Sequence, residues 1–185
     1  MLNAVTDIPG LARVVAGGES CTSVPTIYLD RLPLQSKDKP YAAGVRYLTI
    51  DDCSIMMQEL LDNYNLWTFE QDRNWPAEME SEYSQSASSA LQTFRTLFCR
   101  KDDFFIEEAA RASLEEDYNA IDKTLHGRMV SWCRELLGNH VNRGEDYHFG
   151  EFDDLDDLRE FVDELTLPSE DFVEPHLWPL VERVR

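Results

Sequence analysis

Apolar residues return at helical spacing through most of the chain after residue 50. Met56, Met57, Leu60, Leu61 and Tyr64 share one face of a helix that opens at Thr49-Ile50-Asp51-Asp52 and runs to about Leu66. That opening has the Ser/Thr-x-x-acid form in which the first hydroxyl and the fourth carboxylate cap each other's backbone. A second helix starts at Trp75-Pro76, where proline suits a first turn and Glu78, Glu80 and Glu82 complement the positive end of the dipole. Its apolar positions are Met79, Tyr83, Ala87, Ala90, Leu91, Phe94, Leu97 and Phe98, and the small residues around Ser84 to Ala90 suit a close helix contact. A third helix is expected over about 103–137, with a seam at Leu114, Tyr118, Ile121, Leu125, Met129, Trp132 and Leu136 that steps by threes and fours. Gly138 ends it as a C′ residue. Residues 139–150 read as a loop punctuated by Asn139, Asn142, Gly144 and Gly150. Leu155, Leu158, Phe161, Val162 and Leu165 then form another amphipathic helix stopped by Pro168, and Leu177, Leu180, Val181 and Val184 predict a last short one.

The first fifty residues have a different texture. Gly17-Gly18, Pro25, Pro33 and Pro40 break them up, a short helix fits at 8–16, and two runs, 26–29 and 45–50, carry β-type residues. Two strands alone make a marginal sheet and must lean on helices. The expected fold is therefore mainly α: an irregular bundle of about five helices with a small N-terminal two-stranded β element. Residues 1–50 form a β- and loop-rich segment packed on a helical region at 51–185, together one globular domain.

Composition adds a sign to this pattern. The 185 residues hold 36 acidic and 17 basic side chains, a formal net charge of −19, and 43% of them are hydrophobic, enough for a packed core. The excess is local: residues 1–50 carry 5 basic and 4 acidic groups, whereas 151–185 carry 3 and 12. A chain so negative repels phosphate backbones and anionic membranes, which excludes direct nucleic-acid binding by phosphate neutralisation. Without an apolar run of signal-peptide or membrane-spanning length, a soluble cytoplasmic or otherwise intracellular protein is expected. Cys21, Cys53, Cys99 and Cys133 are widely spaced and form no CxxC pair. They read as reduced thiols, the last three as core residues.

Candidate chemistry is sparse. Asp153, Asp154 and Asp157 spell DDxxD, the spacing that sets magnesium-binding carboxylates on one helical face in terpene and prenyl synthases, but no second metal motif accompanies it. Acids ahead of a helix are also what capping and the helix dipole require. Glu145 and His148 form a single ExxH inside the expected loop, and His126, His140, His148 and His176 lack zinc spacing. The glycines at 17 and 18 have no phosphate-loop lysine, and no nucleophile motif occurs, so no catalytic residue, metal or cofactor is assigned.

The surviving feature is the acidic C-terminal third, where carboxylates alternate with aromatic anchors. The expected function is a non-enzymatic interaction module that meets a basic partner protein, as an adaptor, inhibitor or immunity-type protein does, with imitation of nucleic-acid phosphates as a special case. The residues expected to carry it are Phe152, Asp153, Asp154, Asp156, Asp157, Glu160, Asp163, Glu164, Phe172 and Trp178. The alternative is a small enzyme with a carboxylate-lined pocket between helices, drawn from 151–164 and His148 and open to a divalent metal. A third reading pairs the chain with a copy of itself through an apolar stripe.

Overall fold

The computed structural model describes residues 27, 29, 31–70, 76–142, 148–166 and 174–185. The expected helix at 8–16, the glycine pair, Cys21, Thr26 and Tyr28 of the 26–29 run, Glu145 and Phe172 lie outside the described residues. Within them the chain is mainly α-helical, with five α-helices and a three-stranded sheet.

The first helix, α1 (Ile50–Phe69), opens as its sequence requires. The Thr49 hydroxyl accepts the Asp52 N–H at 3.1 Å, and Asp52 accepts the Thr49 N–H at 3.3 Å. Its buried face, Cys53, Met57, Leu61 and Tyr64, meets α2 (Ala77–Phe98) at Ala87 and Ala90, where the small residues let the backbones approach. Phe94, Leu97 and Phe98 continue the core, whereas Met79 at the start of α2 is exposed.

The long helix expected over 103–137 is three elements: a 3-10 turn at Asp102–Phe104, then α3 (Glu107–Asn119) and α4 (Leu125–Asn142). The backbone turns extended at Ala120, and Ile121, counted into the seam by its spacing, is fully exposed. Asp117 explains the restart. Its Oδ1 accepts the N–H groups of Thr124 and Leu125, each at 2.9 Å, so a carboxylate from α3 supplies the N-terminal cap of α4. We expect Asp117→Ala to cost about 1–2 kcal/mol in urea unfolding and Asp117→Asn to recover most of it; equal losses for both variants would refute the capping role. The buried row of α4 is Leu125, Met129, Cys133 and Leu137, with Trp132 and Leu136 at its rim. The backbone leaves helical geometry at Gly138 (φ 39°, ψ −114°), a positive-φ conformation that glycine adopts readily. It marks a kink and not the expected end of the helix, because the helix resumes after it and runs to Asn142, inside the stretch read as loop.

The β element differs from expectation in membership. The strand placed at 45–50 lies at β1 (Tyr41–Tyr47), and Ile50 belongs to α1. Its antiparallel neighbours come from the other end of the chain: β2 (His148–Phe152), inside the stretch read as loop and acidic lead-in, and β3 (Val181–Val184), read as a short helix. A 3-10 turn at Trp178–Leu180 precedes β3. A bulge between Arg46 and Tyr47 shifts the β3 register, so Val181 and Val184 are both buried although three apart, a spacing that imitates a helix. The Ile27 N–H, from the other expected strand, donates to the Val184 carbonyl at 2.9 Å.

Two cores result. The larger lies among α1, α2, α3 and α4, and Phe104 joins Phe94, Phe98 and Trp132 there in edge-on ring contacts. The smaller is Val45, Val181 and Val184, covered by Phe161, Val162 and Leu165 of α5 (Leu155–Thr166). Tyr47 borders both, and the Leu48 N–H reaches the Leu180 carbonyl at 2.8 Å. Cys53, Cys99 and Cys133 are buried free thiols, as core positions should be. A hydrogen bond with Cys53, together with burial, pushes the Cys133 thiol up, and burial pushes Cys99 up, so neither forms a ready thiolate.

Candidate functional site

The acidic helix α5 turns its apolar side onto the sheet and leaves the opposite side to carboxylates. From 153 to 164 the chain carries seven acids and one arginine. Asp153, Asp154, Asp156, Asp157, Glu160 and Glu164 are exposed, and Asp163 is half-buried. Three of these residues have identifiable local work. Asp154 Oδ1 accepts the N–H groups of Asp156 and Asp157, both at 2.9 Å, which is the N-cap of α5. Asp153 pairs with Lys39 at 2.7 Å, and Asp156 pairs with Arg159 at 2.8 Å. Just ahead, Glu151 accepts the Ser36 hydroxyl at 2.9 Å and also its N–H, so residues 36–39 are tied to the start of this face. The DDxxD spacing is thus occupied by a cap and an ion pair in two of its three positions.

Repulsion along the face acts most clearly on one group. The Asp154 carboxylate beside it holds the Asp157 carboxyl above the usual range, with Glu160 and Asp153 acting in the same direction. A raised carboxyl pKa means that ionisation is disfavoured in the fold. The penalty is therefore present above the folded pKa and vanishes below the unfolded one, and a cation docked on the face would also relieve it.

The aromatic candidates sit differently from the acids. Phe152 is half-buried at the end of β2, its ring 5.1 Å from that of Phe161. Gly150 makes room for it, because a Cβ there would stand 2.7 Å from Phe152 Cζ and 3.3 Å from Phe161 Cζ. Trp178 is half-buried in its 3-10 turn, with a buried indole N–H that has no hydrogen-bond partner among the described residues. His148 rests edge-on against Phe161 at 5.7 Å. The acids are thus brought together on one outward face, while Phe152 and His148 pack beneath it on Phe161.

A pocket of about 280 Å3 lies elsewhere, its lining including Tyr118 of the expected seam and three residues that sequence patterning did not single out, Asp62 and Asn65 of α1 and Glu70 just after it. Their only trace in the sequence is a polar residue, Asn65, beside the apolar row of α1. Among the described residues no group of three His, Cys, Asp or Glu side chains could hold a metal ion, and no helix is long and apolar enough to cross a membrane. No protein-family model, curated protein or solved structure matches the chain.

Proposed function

We propose that this protein is a non-enzymatic interaction module that docks its acidic face, centred on α5, against a basic partner protein. The observation that carries the reading is the division of labour on that helix. Phe161, Val162 and Leu165 are spent on the sheet, which leaves Asp156, Asp157, Glu160 and Glu164 projecting from a scaffolded surface with one arginine among them. Carboxylates held in fixed positions lose little freedom on meeting lysine or arginine, and their field speeds encounter with a positive partner. Because Phe152 and Trp178 are half-buried, affinity on this face is mainly electrostatic and correspondingly sensitive to salt.

The test uses a variant that spares the helix cap and the ion pair to Lys39: Asp156→Asn, Asp157→Asn, Glu160→Gln and Glu164→Gln, with Asp153 and Asp154 kept and Asp156 included because its pair with Arg159 lies within α5 itself. Tagged wild-type and variant chains are used to capture proteins from the native host at two salt concentrations. A basic protein retained by the wild type at low salt and lost from the folded variant supports the reading; identical capture by both chains defeats it.

A further inference from the structure

The three strands lie in the order β2-β1-β3, so β2 and β3 form the outer sides of the sheet. On the β3 side the Ile27 N–H reaches the Val184 carbonyl at 2.9 Å, which adds a backbone contact there. The β2 side has no such cover among the described residues, and the register says which groups it leaves open. Gly44 exchanges both backbone hydrogen bonds with Arg185, each at 2.8 Å, so its N–H and C=O point towards β3. Successive residues of a strand point these groups to opposite sides, so those of Ala43 and Val45 point towards β2. Their partners there are Gly150 and His148, which turns the backbone groups of Phe149 and Glu151 outward. Each of the two presents one N–H and one C=O, and among the described residues no backbone group pairs with them.

An open edge is a template for another strand, and folded proteins usually blunt it with lysine, proline or a bulge. β2 holds no lysine or proline, and it runs along β1 without the bulge that disturbs β3. What it carries is negative charge. Between His148 and Leu158 stand Glu151, Asp153, Asp154, Asp156 and Asp157 with no lysine or arginine among them, and Lys39 and Arg159 pair with two of the five. The Ser36 N–H and hydroxyl donate to the Glu151 carboxylate and leave the backbone groups of Glu151 untouched. A second copy of this chain would bring the same acids against themselves, and like charges across a strand pair destabilise it. A strand bearing lysine or arginine gains where a copy loses. We propose that the outer edge of β2 pairs, through the N–H and C=O groups of Phe149 and Glu151, with an extended basic segment of a partner protein. The backbone bonds hold the segment, and Glu151 with the acids that follow it selects the charge. The basic sign of the partner rests on the proposed function, whereas strand pairing is a mode of attachment that charge alone does not require.

Because β2 offers only two outward residues, a short probe suffices: a capped Lys-Val-Lys-Val-Lys peptide, added to the full chain and followed by nitrogen-15 NMR and amide hydrogen exchange. Two relatives serve as controls. One is the same peptide methylated at every backbone nitrogen, which keeps the charge and removes the donors; the other, capped Thr-Val-Thr-Val-Thr, keeps the strand and removes the charge. Expected are saturable binding of the lysine peptide and at least about tenfold slower exchange of the Phe149 and Glu151 amides when it is bound. The methylated and threonine peptides bind at least about tenfold more weakly. Phe149→Pro deletes one outward N–H, at a position where an edge strand tolerates proline, and lowers affinity about tenfold, whereas Phe149→Ala keeps the N–H and stays within about threefold of the wild type. If the proline variant fails to fold, the methylated peptide makes the same comparison on the wild-type chain. Equal binding by the methylated peptide, with shifts on α5 and no slowing at Phe149 and Glu151, overturns the edge pairing and leaves the acidic face standing. Equal binding by the threonine peptide, with slowing at both amides, overturns the basic occupant, and the acidic-face reading with it. Absence of saturable binding by the lysine peptide overturns the strand pairing.

Discussion

Phe104→Ala is expected to remove about 3–5 kcal/mol of folding stability, the usual range for deleting a fully buried aromatic ring. The residue stands in a one-turn 3-10 segment, yet its side chain is fully buried and meets Phe94 at 6.1 Å, Phe98 at 5.8 Å and Trp132 at 6.0 Å between ring centroids. Each edge-on pair contributes about 0.5–1.5 kcal/mol beyond area burial, and rings from separate elements cannot close over the void without moving the turn. Against a total stability of about 5–15 kcal/mol, such a loss is a large share. Urea unfolding followed by tryptophan fluorescence measures it, with Phe104→Leu expected to recover a substantial part. A loss below about 1 kcal/mol would show that the ring is not part of a tightly packed core.

Val45→Asp is expected to do comparable damage in a different place. Val45 is fully buried in the middle strand, opposite Val184, in the small core roofed by Phe161, Val162 and Leu165. The cluster it belongs to is apolar, with His148 opposite it on β2, and burying a charge in such surroundings belongs to the rare class of substitutions that cost more than about 4 kcal/mol. Because the small core is separate from the bundle core, the damage should be confined. Hydrogen exchange is expected to accelerate in β1, β2, β3 and α5 while the amides of α1, α2 and α4 stay protected. Equal acceleration everywhere would show that the two cores open as one unit. Detachment of α5 also removes the support of the acidic face, so partner binding should be lost with it.

These two cores show where sequence patterning succeeded and where it did not. The periodicities of α1, α2 and α5 were legible because each helix buries one continuous face and carries its own start signal: the Thr49–Asp52 box, Pro76 and Asp154. The break between α3 and α4 was not legible. Tyr118, Ile121 and Leu125 keep perfect helical spacing across it, and neither glycine nor proline marks it; the interruption is held by Asp117, a long-range cap. In β3 the bulge puts Val181 and Val184 on one side, so the strand counts like a helix. In β2 the central Gly150 read as a turn, whereas its lack of a side chain admits the Phe152 ring. Both errors concern strands whose partner lies more than a hundred residues away, information that local spacing does not contain. Of the candidate site, the acidity and its placement on an amphipathic helix were legible, because charge is additive along a sequence. The packing of Phe152 against Phe161, and the pocket around Asn65, depend on which surfaces meet and left almost no local trace.

On the proposed function, the outward carboxylates of α5 bind a basic partner by charge. This is tested most directly by the salt dependence of affinity for the captured partner, measured for the wild type and for the variant neutralised at Asp156, Asp157, Glu160 and Glu164. Exposed charges are screened over about 8–10 Å at physiological salt, so binding that depends on them weakens steeply as salt rises. The wild type is expected to show a steep decline, and the variant about a tenfold lower affinity at low salt with a markedly flatter decline. Superimposable salt curves from two equally folded chains would contradict it.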